Sequence, residues 1–425
     1  MSNDYLSSLP GEMLEEISKF FQHDDASHPA DFVNEPKGSY CALAQTCKSL
    51  RLHFQRHLFS FVDLVAENRV RTFAELIQVN PILASYIQTI VLEAEGMWGL
   101  FQYPPLLAIM HAASRSGTPP KICLFMEPES DLVDKLGVNI PSNTMTHIFN
   151  APQTILHAIT NLQIGRRGQA IPAGLFKLLP NLHIVRGFYF ALSSNDWLSE
   201  NHTYQFFRPK LDALALCRCN PATITMLCEQ ILDLSAAKEL EVVSIEIGST
   251  TLGPNSRNLL ARRLLDHAQS VQKLNLDIGA MVGEFYDLGQ LQSLRECTLH
   301  LEVEASANPV PRLCQFLHTL PPLSEHDLKY LHLSIEFIDI LLDENDISGS
   351  HVLFSIGSWS NFDATIVDIV ASGIRPFELG FTFWIQTQNI LVNSLLKSLF
   401  VDWERKYLPK CSRQPNLNIF IQPYF

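Results

Sequence analysis

Near the amino terminus, apolar residues recur at three- and four-residue steps. Leu6, Leu9, Met13, Leu14, Ile17, Phe20 and Phe21 therefore fall on one stripe of a helix. Pro10 suits the first turn, where its missing N–H is no loss, and Glu12, Glu15 and Glu16 face the positive end of the helix dipole. A second stripe runs through Tyr40, Leu43, Ala44, Cys47, Leu50, Phe54, Leu58 and Phe61 and predicts one helix of about six turns. Gln45, Lys48, Ser49, Arg51 and Gln55 fill much of its opposite side. Two helices of this size cannot bury both stripes alone, so the following domain or another protein covers the remainder.

From Phe73 onward the pattern changes to short alternating apolar runs separated by helical stretches. Period-two alternation predicts strands over 214–216, 243–247, 274–278, 299–301 and 331–335, with weaker candidates at 87–92, 122–126, 159–164, 182–185 and 377–383. Four of the first five follow an apolar residue three positions before the first anchor, as in Leu211-x-x-Leu214-x-Leu216, which is the core spacing of a leucine-rich repeat, while Glu296 holds that position before Leu299. The markers Leu216, Ile247, Ile278, Leu301 and Ile335 stand 31, 31, 23 and 34 residues apart, so the period is loose. Between strands, Asn220 and Pro221 open a helix with Ile224, Leu227, Ile231 and Leu234 on one face, and Ser256 opens another with Leu259, Leu260, Leu264 and Leu265 inward. A last helix over 389–408, carrying Leu391, Leu395, Leu399 and Trp403, is expected to cap the open end.

The predicted class is α+β or α/β: a small helical module over 1–64, then an irregular leucine-rich-repeat-like α/β solenoid over 65–425. An ordinary α/β layer with a twisted parallel sheet is the alternative that the uneven spacing keeps open. In a solenoid the residues between the buried leucines line a concave face where partners bind. The positions so placed include Ala215, Ser244, Thr298 and Ser334, and the candidates for client contact are Arg186, Glu246, Asn275, Asp277, His300 and His332.

The run Leu9-Pro10-x-Glu12-x-Leu14-x-x-Ile17-x-x-Phe20, followed by Leu43-Ala44-x-x-Cys47-Lys48-x-Leu50-Arg51, resembles the F-box pattern. Residues 58–64 resemble the strand that leaves the box in many fungal F-box proteins. The resemblance implies a small helical unit that docks a Skp-type adaptor through Leu9, Pro10, Glu12, Leu14, Ile17, Leu43 and Cys47, and through that adaptor a cullin. It further implies that the repeat domain recruits a protein client for ubiquitin-dependent degradation. Two departures stand out: a 17-residue acidic insert at 22–38 where the family has a short connection, and Leu50 where an aromatic often ends the pattern.

Composition narrows the classes. Hydrophobic residues make up 47% of the 425 and charged residues 18%, enough apolar surface to offset chain entropy. A formal charge of −13 argues against nucleic acid as the main partner. No apolar run approaches the roughly 20 residues that cross a bilayer, and Met1 to Leu9 lacks a secretory pattern, so an intracellular protein of cytoplasm or nucleus, free of membrane, is expected. Nine cysteines, with Cys217, Cys219 and Cys228 the densest group, read as reduced thiols without zinc spacing. His53 and His57 stand four apart on a helix without a third ligand nearby, and Glu325-His326-Asp327 follows Pro321-Pro322 as a solvated turn. No phosphate loop, nucleophile elbow or zinc helix motif occurs, so a non-catalytic chain without cofactor or metal is expected. The alternatives are a repeat scaffold unconnected with ubiquitylation and an enzyme whose site is assembled from distant loops.

Overall fold

The computed structural model describes residues 12–14, 37–46, 48–64, 67–93, 102–115, 117, 119–126, 151–165, 170–188, 191–193, 208–217, 219, 221–243, 264–277, 288–304, 308, 310–320, 323, 327–338, 356–371, 376–385 and 400–424. Two compact units divide the chain: Met1–Leu182 with Asp196–Phe207, and His183–Asn195 with Arg208–Phe425. Both mix helix and strand and are built on parallel strand pairs, which makes the protein an α/β type.

In the first unit, residues 12–14 are helical, and the second apolar stripe forms two helices, α1 (Lys37–Thr46) and α2 (Lys48–Ser60), where the spacing predicts one. The stripe runs unbroken across position 47, so periodicity carries no signal of the break. Leu14, Ala44, Leu50 and Phe54 form one buried cluster, with Leu43 and Leu58 packed against it. Residues 58–60 still belong to α2, so the strand after the helical segment is shorter than 58–64: β1 is Phe61–Asp63.

β1 pairs with β2 (Thr89–Glu93), β2 with β3 (Lys121–Met126) and β3 with β4 (Ile159–Ile164). The intervening helices α3 (Glu67–Val79), α4 (Pro104–Ser114) and α5 (Gln153–Ala158) supply the apolar cover. Val70, Ala74 and Ile77 on α3, and Leu106, Ile109, Met110 and Ala113 on α4, are buried at helical spacing, and the two helices pack together.

In the second unit the parallel strands run β5 (Ile184–Phe188), β6 (Ala213–Cys217), β7 (Glu239–Val243), β8 (Lys273–Asp277), β9 (Glu296–Glu304), β10 (Tyr330–Ile338), β11 (Phe377–Ile385) and β12 (Leu417–Tyr424), each paired with the next. Backbone bonds link successive strand entries: Lys238 N–H donates to Asp212 C=O at 2.7 Å, Gln272 to Lys238 at 2.7 Å, Arg295 to Gln272 at 2.8 Å and Lys329 to Arg295 at 2.8 Å. Register then stacks Val185, Leu214, Leu240, Leu274, Cys297, Leu331 and Leu379 in one column, none more than 2% exposed. A buried residue stands three positions before each of the first six: Leu182, Leu211, Ala237, Val271, Leu294 and Leu328. The Leu-x-x-Leu spacing read from the sequence thus marks a buried turn and the strand it feeds.

Two expected elements differ. The strand expected to begin at Val243 enters earlier, at Glu239, because Leu240 takes the column position opposite Leu214 and Leu274; its described part is Glu239–Val243, and residues 244–247 lie outside the described set. Of the capping helix expected at 389–408, Leu391, Leu395 and Leu399 lie outside the described residues, while Trp403–Tyr407 forms a short helix. A strand follows it, so β12 ends the described array.

The last layer is aromatic. Trp359 and Phe362 on the helix Ile356–Ala371 meet Phe381 and Phe383 of β11 and Trp403, with the Trp359 and Trp403 ring centroids 4.8 Å apart and nearly perpendicular. Asp363 of the same helix is buried, and its carboxylate accepts from the backbone N–H groups of Lys410 at 3.0 Å and Cys411 at 2.8 Å. Removing that acceptor strands two donors. Asp363→Ala is expected to lower stability by about 3 kcal/mol, read as a lower urea midpoint at constant slope, and an unchanged midpoint would sink this account of the anchor.

Candidate functional site

The residues between the buried columns of the second unit form rows across its strands. One row holds Arg186, Ala215, Glu241, Asn275, Thr298, His332, Gly380 and Phe420 in register. The next holds Asp277, His300, Ser334, Thr382 and Gln422. Three of the sequence-predicted client positions, Arg186, Asn275 and His332, thus share a row, and Asp277 and His300 are direct register partners in its neighbour. Glu246 lies outside the described residues, as do Ser244, Leu9, Pro10, Ile17 and Cys47. Of the remaining adaptor candidates, Glu12 is exposed, Leu43 is half-buried, and Leu14 at 8% exposure serves the helical cluster of its own chain.

Towards β10 and β11 the rows become a bonded network. His332 joins the Tyr330 hydroxyl through Nδ1 at 2.9 Å and the Thr382 hydroxyl through Nε2 at 2.9 Å. Each hydroxyl can donate or accept, so both imidazole nitrogens are satisfied in either neutral tautomer. The Tyr330 and His332 rings stack with 18° between their planes. The imidazole lies over Gly380, where an added Cβ would collide with Nδ1 and come within 3.1 Å of the Tyr330 hydroxyl. Glycine is needed here for close approach.

Beyond this pillar stands a second, more open group. Trp384 and Tyr424 are register partners on β11 and β12, stacked at 4.2 Å with 8° between their planes. The Trp384 indole N–H donates to Ser334 Oγ at 3.2 Å, which fixes the ring's orientation on the sheet. Trp384 is still 43% exposed and Phe420 56%. On its other side, Trp384 is in register with Glu336, which is itself in register with Glu302.

Burial, and then the neighbouring His300, holds the His332 imidazole below its ordinary pKa, while burial, Glu378 and Glu296 push the Tyr330 phenol up. The pillar is accordingly neutral near pH 7. Elsewhere Asn275 donates to Glu241 Oε1 at 3.2 Å, and Lys273 meets Glu296 at 3.4 Å. Such a surface presents fixed donors, acceptors and ring faces. Among the described residues, no group of three or more His, Cys, Asp and Glu can hold a metal, and no helix is long and apolar enough to cross a membrane.

Sequence reasoning missed Tyr330, Thr382, Trp384, Phe420 and Tyr424. Thr382 was within reach, since it alternates with Phe381 and Phe383 in a strand that the pattern predicts; Trp384 fell one residue past that strand's expected end. Phe420 and Tyr424 belong to a strand that Pro423 obscures, because proline inside an apolar run usually argues against one.

No protein-family model matches this chain, and no curated protein matches it either.

Two outcomes follow from the pillar. Gly380→Ala forces the His332 ring aside and is expected to cost about 1–3 kcal/mol of stability, with a shifted His332 ring signal in NMR; an unmoved signal at wild-type stability is the contrary result. The second concerns pH. A histidine whose folded pKa is depressed stabilises the fold fully above its unfolded pKa of about 6.5. Below that value the unfolded chain takes up a proton that the folded chain resists, and this contribution is lost as pH falls through the folded pKa. Urea unfolding of the wild type should therefore weaken more between neutral and mildly acidic pH than that of His332→Gln, and parallel pH profiles would refute the assignment.

Proposed function

We propose that this chain is a non-catalytic substrate-receptor subunit of a Skp/cullin/F-box ubiquitin ligase, acting in the cytoplasm or nucleus. The observation that carries the reading is the box-like pattern from Leu9 to Arg51 standing ahead of a parallel strand array with a broad polar and aromatic face. In this reading the amino-terminal helices dock a Skp-type adaptor and, through it, a cullin. The array is a leucine-rich-repeat-like solenoid of loose period, and its open rows hold a protein client.

The mechanism is proximity. One end is tethered to the ligase while the other holds the client, so ubiquitin transfer becomes effectively intramolecular without a reacting group on this chain. A stable docking interface would bury roughly 1,600 Å² and draw most of its affinity from a few anchors. Leu9, Pro10 and Ile17 are the anchors this reading assigns, with Glu12 and Cys47 beside them and Leu14 and Leu43 supporting the helices from within.

A second reading, a repeat scaffold with no link to ubiquitylation, draws on the burial of Leu14 with Ala44, Leu50 and Phe54, which spends part of the amino-terminal stripe on internal packing. A pull-down with a Skp-type adaptor separates the two. The intact chain should retain the adaptor at micromolar concentration, and a Leu9→Asp, Pro10→Ala variant with an unchanged circular dichroism spectrum should lose it. Absence of association by the intact chain would discard the receptor assignment in favour of the scaffold.

A further inference from the structure

We infer that the aromatic shelf on β10 to β12 takes a cationic side chain, so that the client is held through a basic, arginine- or lysine-bearing segment. This rests on the client-holding role proposed for the open rows and names the chemistry of the segment they receive.

Three observations converge on that occupant. The first is an exposed pair of parallel rings: Trp384 stacks on Tyr424 at 4.2 Å and keeps 43% of its surface exposed. Indole is the best aromatic receiver of an ammonium or guanidinium, because its ring face carries the negative part of the quadrupole. The second is restraint: the bond from Trp384 Nε1 to Ser334 Oγ at 3.2 Å holds the ring in place before any ligand arrives, which lowers the ordering cost of binding.

The third is charge: Glu336 is the register neighbour of Trp384 on the side away from Tyr424. A phosphate-bearing or acidic ligand would be repelled here, whereas a guanidinium can stack on Trp384 and remain near Glu336. Phe420, 56% exposed on the same edge strand, offers apolar surface to the residues flanking that cation.

The test uses the full chain and a fluorescein-labelled arginine–glycine–serine repeat peptide, with its glutamine-for-arginine counterpart as control, read by anisotropy. The arginine peptide should bind and the glutamine peptide should not. Trp384→Ala and Glu336→Gln should each weaken binding about fivefold, while Trp384→Phe, which keeps a ring face, should retain most of it. Glu336 is half-buried and its glutamine variant keeps the side chain's shape, so that variant reports on binding even if Trp384→Ala unfolds. No binding by the wild type, equal binding of the glutamine peptide, or unchanged affinity in both Trp384→Ala and Glu336→Gln overturns the inference. Retention of the adaptor together with any of those results leaves the receptor reading standing and removes this one. Loss of the adaptor with Trp384-dependent peptide binding does the reverse.

Discussion

In a parallel ladder the face that a side chain occupies is decided by register, and register here is set at the strand entries. The bonds from Lys238 to Asp212, Gln272 to Lys238, Arg295 to Gln272 and Lys329 to Arg295 bring each strand in at the same level as the one before. From that level, Leu214, Leu240, Leu274, Cys297 and Leu331 fall into one buried column. A slip of one residue in a single strand would exchange a buried leucine for Glu241 or Asn275. Each such leucine contributes about 2 kcal/mol by its burial, and a carboxylate in its place would add a desolvation cost. The column therefore locks the ladder, and the ladder in turn aligns the open rows.

The site lies on β9 to β12, where nine-residue strands and an eight-residue last strand carry the alignment out to Glu336, Trp384 and Tyr424. The same strands are covered on their buried side by the rings of Trp359, Phe362 and Trp403 against Phe381 and Phe383. Asp363 ties the helix bearing two of those rings to the turn at Lys410 and Cys411, just ahead of β12. The open aromatic shelf and the closed aromatic core are thus two faces of the same strands.

The sequence made some of this legible because period-two burial is a local property. The strands at Ile159–Ile164, Lys273–Asp277 and Tyr330–Ile338 carry clean alternation, and the reading placed all three within a residue or a few of their bounds. It missed the entry at Glu239 and began that strand at Val243, since only the partner strands identify Leu240 as a column residue. Arg186, Asn275 and His332 could be named as open positions from alternation alone. Their alignment in one row could not, since it depends on loops of unequal length between strands. The His332 pillar was hidden for a related reason: Tyr330, Thr382 and Gly380 reach it from positions up to 50 residues away in the chain.

The amino-terminal segment is governed by a different constraint: one apolar stripe cannot face inward and outward at once. Leu14, Ala44, Leu50 and Phe54 are committed to the helical cluster, whereas Glu12, Met13, Cys41, Ala42 and Gln45 remain exposed. A docked partner would meet that second set, so Glu12 and Met13 stand closer to any contact than Leu14 does. Seen this way, the box-like pattern divides into residues that build the helices and residues that present them. The division matters because only the presenting residues can be changed without loosening the module. In the proposed receptor, Leu14 would then set the position of its neighbours, and the affinity for the adaptor would come from the side chains that those helices leave uncovered.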